Sequence, residues 1–471
     1  MIHKIYPHLA ILLLSAYTKR SDVYKLIGQN GEALADILSG SLVSKRTGNR
    51  KYEAGFSVMR GYLYCNAGEY GKMLSSGKTA LGIFCRLGDK EGAAEARILI
   101  GYYYYLKGDY NRARVEYDAA ENELKKTGTP LPITRALLER SAYLSASQGD
   151  HSRAFRDFRK SLNICARLKD IAGQAVNYGN LGNVCHITSD YKKAIDFYEM
   201  SLKMNRSIGD KKSIASNLNN IGLMKYYLSE YGPALKKFRE SYGIKKDIGD
   251  IKGISATLGN MGLVYDELHS YNEALKYYFR SLEIKTSLGD KKGQAIIINN
   301  IAAVYHSKKE PSKALTMHRA SYLLEKSLGN LQGQAKSLTN MGNALRSLKE
   351  RKKASLYYRR SLAVCLKMKY RKEAAKNRLE LGRLCAASGQ YAQALEYFRT
   401  SLRARRQLEL DSTAVLFQES GECLFRTGRF EAALWNITEA ENIFGKLKDT
   451  ASLRECGKIK QRILRELQLS Q

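Results

Sequence analysis

Acidic residues, paired cysteines and long apolar runs are what this sequence has least of. It carries 46 Asp or Glu against 78 Lys or Arg, a formal net charge of +32. That deficit of acids suits an acidic partner, whether protein, nucleic acid or anionic membrane. The eight cysteines, at 65, 85, 165, 185, 365, 385, 423 and 456, form no CxxC pair, and the seven histidines are scattered. Zinc needs convergent thiolates or imidazoles, so no metal or cofactor is expected, and the cysteines read as small buried apolar residues of a reducing compartment, the cytoplasm. Leu9 to Leu14 is too short an apolar run to span a bilayer. It reads as a first capping helix, with a targeting segment as the alternative. No Ser/His/Asp, Cys/His or paired-carboxylate set stands out, so the chain is expected not to be an enzyme. The one phosphate-loop fragment, Ser-Ser-Gly-Lys-Thr at Ser75 to Thr79, has Lys72 where the motif needs glycine, and it falls on a predicted helix.

What the sequence does have is repetition. A small residue recurs at Ser21, Gly61, Gly101, Ala142, Gly182, Gly222, Gly262, Ala302, Gly342, Gly382 and Gly421, a spacing of 40 residues broken once by 41 and once by 39. Nine residues after most of these stands a ring, such as Tyr191, Tyr231 or Tyr271. Three further on comes Ala, as at Ala194, Ala234 and Ala274. A second ring follows after four more: Tyr117, Phe158, Tyr198, Phe238, Tyr278, Tyr358 or Phe398. Ser-Leu or Ser-Tyr then closes the pattern, as at Ser201-Leu202 and Ser321-Tyr322. This is the signature of a helical hairpin. The small residue and the Ala let two backbones approach, and the rings fill the space beside them. A single hairpin cannot bury its own apolar faces, so neighbours must stack.

The punctuation agrees. Leu87-Gly88-Asp89, Ile208-Gly209-Asp210, Ile248-Gly249-Asp250 and Leu288-Gly289-Asp290 pair a glycine suited to ending one helix with an Asp suited to capping the next. Only five prolines occur, and Pro233 and Pro311 fall where a second helix is expected to begin. The segment around Pro130 and Pro132 accounts for the 41-residue spacing. Three parts are therefore expected: less regular repeats over 1–141, a regular array over 142–448, and a polar C-terminal capping helix over 449–471.

In this order, small residue, ring, Ala, ring and loop glycine resemble the tetratricopeptide repeat, most closely in the stretch from Asn260 to Ala295. The 40-residue version is similar to the arrays of Pins-type scaffolds, kinesin light chains and bacterial regulators. The resemblance covers nearly the whole chain. It implies an all-α, right-handed superhelical solenoid of about eleven antiparallel hairpins that binds proteins or peptides. His151, Pro311 and Arg351 depart from the pattern at the first ring. The family's carboxylate clamp is not matched, because Gly179 and Ala256 stand where its lysines are expected.

Two groups of residues are candidate sites. Asn180, Asn220, Asn260, Asn300 and Asn340 each precede the small residue by two, and Asn183 and Asn343 follow it by one. Asn is a mediocre helix former, so five in register ask for a reason. In a tetratricopeptide array the position faces the inner groove, where a row of carboxamides offers donors and acceptors to an extended peptide. The other outcome is that these amides bond one another or the adjacent helix. The second group is basic. Between Gly342 and Leu381 there are 13 Lys or Arg and 3 Asp or Glu. Lys336, Arg346 and Lys376, with Arg351, Lys352 and Lys353 in the turn beside them, form either a docking surface for an acidic partner or a solvated outer face. The leading expectation is a scaffold or adaptor that holds a peptide or helix. The alternatives are the sensory arm of a larger signalling or transcription regulator and a basic nucleic-acid-binding solenoid.

Overall fold

The computed structural model describes residues 13, 15–19, 30–127, 130–403 and 410–469. Most of the Leu9 to Leu14 run, and the first small residue Ser21, lie outside the described residues. From Asn30 to Leu469 the described residues form 22 α-helices and no strand. The first are Asn30–Arg46 (α1), Arg50–Asn66 (α2), Tyr70–Leu87 (α3), Lys90–Leu106 (α4), Tyr110–Leu124 (α5) and Leu131–Ser147 (α6). Next come His151–Arg167 (α7), Ile171–Ile187 (α8), Tyr191–Ser207 (α9), Lys211–Tyr227 (α10) and Tyr231–Asp247 (α11). Ile251–Glu267 (α12), Tyr271–Ser287 (α13), Lys291–Ser307 (α14), Pro311–Ser327 (α15), Leu331–Ser347 (α16) and Arg351–Lys367 (α17) follow. Arg371–Ala386 (α18), Tyr391–Leu402 (α19), Leu410–Arg426 (α20), Phe430–Leu447 (α21) and Thr450–Leu469 (α22) complete the set. The helices pair as ten hairpins, α2 with α3 through α20 with α21, so the chain is an all-α helical-repeat solenoid. It forms two compact units, Met1–Ile244 and Lys245–Gln471.

The close contact read from the small residues is present in both units. A Cβ on Gly222 would lie 2.8 Å from the Phe238 ring, and one on Gly262 or Gly342 would lie 2.6 Å from Tyr278 or Tyr358. Those rings and the alanines one turn before them, such as Ala234 and Ala274, are fully enclosed. Where the small residue is Ala302, the ring is reduced to His318. Its burial pushes the imidazole down to about 4, so it is neutral at pH 7. In the α2–α3 hairpin the second ring is missing, because Gly77 stands in its place. Leu99 from α4 fills that space, reaching Gly61 and Gly77 together. Ser75 to Thr79 is thus a stretch in the middle of α3, with Ser76 and Gly77 buried, rather than a phosphate loop.

The serine that closes each repeat has a task that its position in the sequence does not reveal. Ser201, Ser241, Ser281, Ser361 and Ser401 are buried, and each donates its hydroxyl to the first-helix carbonyl 26 residues earlier, at 2.7–2.9 Å. Ser361 is the richest node: it donates to the Ala335 carbonyl, receives the Asn377 Nδ2 amide at 3.0 Å and lies 2.9 Å from Thr339 Oγ1. One hydroxyl therefore ties three helices. Ser361→Ala is expected to lower the stability of the whole chain by about 1–2 kcal/mol, since it strands buried polar partners. Urea unfolding midpoints checks this; an unchanged midpoint refutes it.

Helix ends follow the expected chemistry. Gly88, Gly209, Gly249 and Gly289 have φ of 65–71°, and the Asp after each accepts an N–H in the first turn of the next helix, as Asp250 does from Gly253 at 2.8 Å. Pro311 opens α15, and Pro233 is the third residue of α11. The turn inside each hairpin has a second left-handed position, filled by glycine at 68, 108, 149, 389 and 428 and by Ser189, Ser229, His269, Lys309 and Lys349 elsewhere. The glycines in that column were its sequence signal.

Candidate peptide-binding surfaces

Within each unit the first helices of neighbouring hairpins lie against one another: α2, α4 and α6 in the first unit, and α16, α18 and α20 in the second. The second helices have no comparable contacts. The first helices therefore line the inner face of each unit, and the residues that face inward recur at helical spacing.

In the first unit the inner stripes of α2, α4 and α6 enclose a cleft of about 990 Å³. This is at the upper end of the range of ligand-binding cavities. Its apolar lining includes Tyr52, Phe56, Met59, Tyr62, Ile98 and Ile133. Charged groups ring it. Lys51 pairs with Asp89 at 2.8 Å, and Arg135 pairs with Asp170. The Arg140 guanidinium lies over the Tyr102 ring, 3.6 Å from its centre. Enclosure pushes the Tyr62 phenol up to about 12, against the pull of Arg140. Glu95 keeps accessible area on the cleft; partial desolvation among its neighbours, reinforced by the carboxylates of Asp89 and Glu91, raises its pKa. No sequence motif pointed here. The four tyrosines Tyr102 to Tyr105, expected to be mostly packing with one ring exposed, are all half-buried. Tyr102 stacks on Tyr105, and Tyr103 meets Tyr104 edge to face.

The asparagine column is half-buried at all five positions, but its members differ. Asn180 donates Nδ2 to the Tyr143 hydroxyl of the preceding hairpin at 2.8 Å. Asn260 has an interaction partner. Asn220, Asn300 and Asn340 make no side-chain hydrogen bond among the described residues. Asn183 and Asn343 do something else: each accepts the buried hydroxyl of its hairpin's tyrosine, Tyr198 or Tyr358, at 2.7 Å. Their carbonyl oxygens serve packing, and their side-chain amide groups donate no hydrogen bond among the described residues. The matching hydroxyl of Tyr117, whose hairpin has Tyr102 in the amide's place, is buried with no partner among the described residues.

The basic group is partly neutralised. Arg346 reaches Glu380 at 3.4 Å, Glu380 also holds Arg383 at 2.9 Å, and Arg383 reaches Glu419 at 2.8 Å. This chain of charges crosses α16, α18 and α20, and Glu380 and Glu419 were not foreseen. Arg351 donates to the Ala387 carbonyl at 3.2 Å, and Lys353 pairs with Glu350. Lys336 and Lys352 are exposed and Lys376 is half-buried, with no ion pair for any of the three among the described residues. All eight cysteines are free, and burial raises Cys423 to about 12 and Cys456 to about 11. Among the described residues no three His, Cys, Asp or Glu gather as a metal site, and no helix is long and apolar enough to cross a membrane.

Stacked helical hairpins whose first helices line a shared face define an interaction repeat protein. Models of the tetratricopeptide repeat match residues 133–207, 174–247, 253–322, 293–367 and 379–412. The chain belongs to the tetratricopeptide repeat family. No curated protein matches the sequence. Among solved structures it is similar to the apo form of RapI, at 14% identity and TM-score 0.56, covering 75% of this chain and 98% of that one. It is also similar to the apo form of the quorum sensor NprR from B. thuringiensis, at 18% identity and TM-score 0.55, covering 77% and 99%. A third is the signal transduction ATPase with a tetratricopeptide repeat sensor from Pyrococcus horikoshii, at 15% identity and TM-score 0.53, covering 74% of this chain and 53% of that one. These likenesses are of fold.

Proposed function

We propose that this chain is a non-catalytic adaptor whose inner face holds an extended peptide segment. The cleft bounded by α2, α4 and α6 carries this reading: it is large, it has an apolar floor, and beside its paired rim charges it keeps Glu91 and Glu95 without an ion pair among the described residues. In the second unit, the unbonded amides of Asn300 and Asn340 add a surface that would hold peptide backbone without reading side chains. Lys336 and Lys352 support an acidic stretch in the partner more than Arg346 or Lys353 do, since those are already paired. A second reading, that the chain senses a peptide signal for a larger regulator, draws on the fold likeness to the quorum sensor NprR and to a Rap protein complexed with Competence and Sporulation Factor.

The test starts with short random peptides displayed and selected on the full chain. The double variant Asn300→Ala, Asn340→Ala is expected to melt no lower than the parent, because Ala is the better helix former and no internal bond is lost. It should bind second-unit ligands about three- to tenfold more weakly per lost amide contact. A double variant that melts lower shows that the amides serve packing. One that binds every selected peptide as the parent does removes them from the site.

A further inference from the structure

The most informative feature of the cleft is what stands on either side of Glu95. At the equivalent position on α2 is Gly55, and on α6 it is Ala136. A Cβ on Gly55 would meet nothing within 4 Å. Glu95 is thus the carboxylate of its column, between a glycine and an alanine, in a cleft whose apolar lining includes Tyr52, Phe56, Met59 and Ile133. No nearby cation forms an ion pair with it among the described residues, although the Lys51 charge pulls on it through space. Lys51 is bound to Asp89, and Arg135 to Asp170 and Glu139. Arg140 rests on Tyr102, two helical turns along α4 from Glu95, about 10 Å away. Glu91 and Glu95 have no side-chain hydrogen bond or ion pair among the described residues.

A chain with a net charge of +32 has thus placed in this cleft two carboxylates, Glu91 and Glu95, that no ion pair holds among the described residues, with the charge of Lys51 acting on both from its pair with Asp89. Resting on the peptide-binding reading above, we infer that the cleft takes a peptide with a lysine or arginine beside an aliphatic or aromatic residue. The cation would sit at Glu95, its hydrocarbon stem along the gap over Gly55, and the apolar neighbour on the Phe56–Met59–Ile133 surface. The ligand's charge would relieve the crowding of Glu95 by Asp89 and Glu91, which the free protein has to bear. This occupant is opposite in charge to the one the overall composition suggests, and the two surfaces are separable by mutation.

The experiment is the same display selection, with sequencing of peptides enriched on the parent, on Glu95→Lys and on Gly55→Leu. Melting of each variant confirms folding; Gly55→Leu fills open space in a helix and should melt no lower than the parent. Parent-selected peptides should be rich in Lys or Arg next to an apolar residue. Glu95→Lys should shift the enrichment to Asp or Glu. Gly55→Leu should weaken the parent's peptides by about tenfold or more, as expected when a desolvated charge contact is blocked. Peptides without a basic bias, a bias that Glu95→Lys leaves alone, or undiminished binding to Gly55→Leu would each overturn the inference. Peptide binding itself would survive those results if the same peptides lose affinity for the Asn300, Asn340 double variant. Failure of any peptide to enrich on the parent would end both.

Discussion

Gly262→Leu is expected to cost the protein about 3 kcal/mol or more, the largest loss from any single change considered. The Cβ alone would stand 2.6 Å from the Tyr278 ring. That ring is fully enclosed by its own hairpin and the next, and it has no free volume to retreat into. The leucine must therefore push α12 away from α13, which opens contacts along both helices. For a unit of this size the melting temperature should fall by roughly 6–12 °C. Gly55→Leu is the matched control: it is also a glycine inside a first helix, but no atom lies within 4 Å of its Cβ, so it should raise stability by a few tenths of a kcal/mol or leave it unchanged. Calorimetry on the pair decides the point. Equal melting for the two variants would mean that the small residue is a repeat marker with no packing role.

The second large effect has the opposite sign. Lys245 is buried at the end of α11, with 4% of its area exposed, and its ammonium donates to Thr257 Oγ1 at 2.8 Å. Desolvation lowers its pKa, and the charge of Asp250 only partly offsets this. Lys245→Met should therefore stabilise the protein by about 1–3 kcal/mol at neutral pH, since it removes a poorly compensated buried charge and keeps the volume. Thr257 is not stranded, because its hydroxyl also donates to the Gly253 carbonyl. The pH dependence gives a check that packing alone would not produce. The folded-state pKa lies below the unfolded value of about 10.4, so the unfolded chain holds the proton more tightly between the two. The penalty is absent above the unfolded pKa, grows as pH falls towards the folded one, and is constant below it. The advantage of Lys245→Met in guanidinium unfolding should thus shrink towards pH 10. A gain that is the same at pH 7 and pH 10 would trace it to packing.

What the sequence revealed was whatever repeats. The positions of Gly222, Ala234 and Phe238 recur in most repeats, so their contact was visible in the pattern alone, and Asp250 and Asp290 announced their caps in the same way. Two kinds of feature stayed hidden. Ser361 was visible as a repeat mark, but its bond was not, because the acceptor is a backbone carbonyl 26 residues earlier and only antiparallel packing brings the two together. The cleft was hidden for a different reason. Gly55, Glu95 and Ala136 share a column but differ in kind, and a search for sameness passes over the columns where neighbouring repeats diverge. The pairing of Arg346 with Glu380 could have been anticipated, since 34 residues is one repeat less a turn and a half of helix. Reading the basic residues as a group, rather than column by column, obscured it.

The serine ties have a mechanical consequence. Each joins the two helices of one hairpin, and only a node such as Ser361 also reaches the next. These repeated ties therefore stiffen a link of about 40 residues, while the joints between links rest on apolar contact, which resists separation but tolerates sliding, and on scattered charge pairs such as Arg383 with Glu419. Under tension such an array behaves as a string of stiff links with compliant joints, so strain imposed at one hairpin is taken up by its immediate neighbours and fades over a few repeats. Any ligand laid across several first helices would act as a splint on those joints.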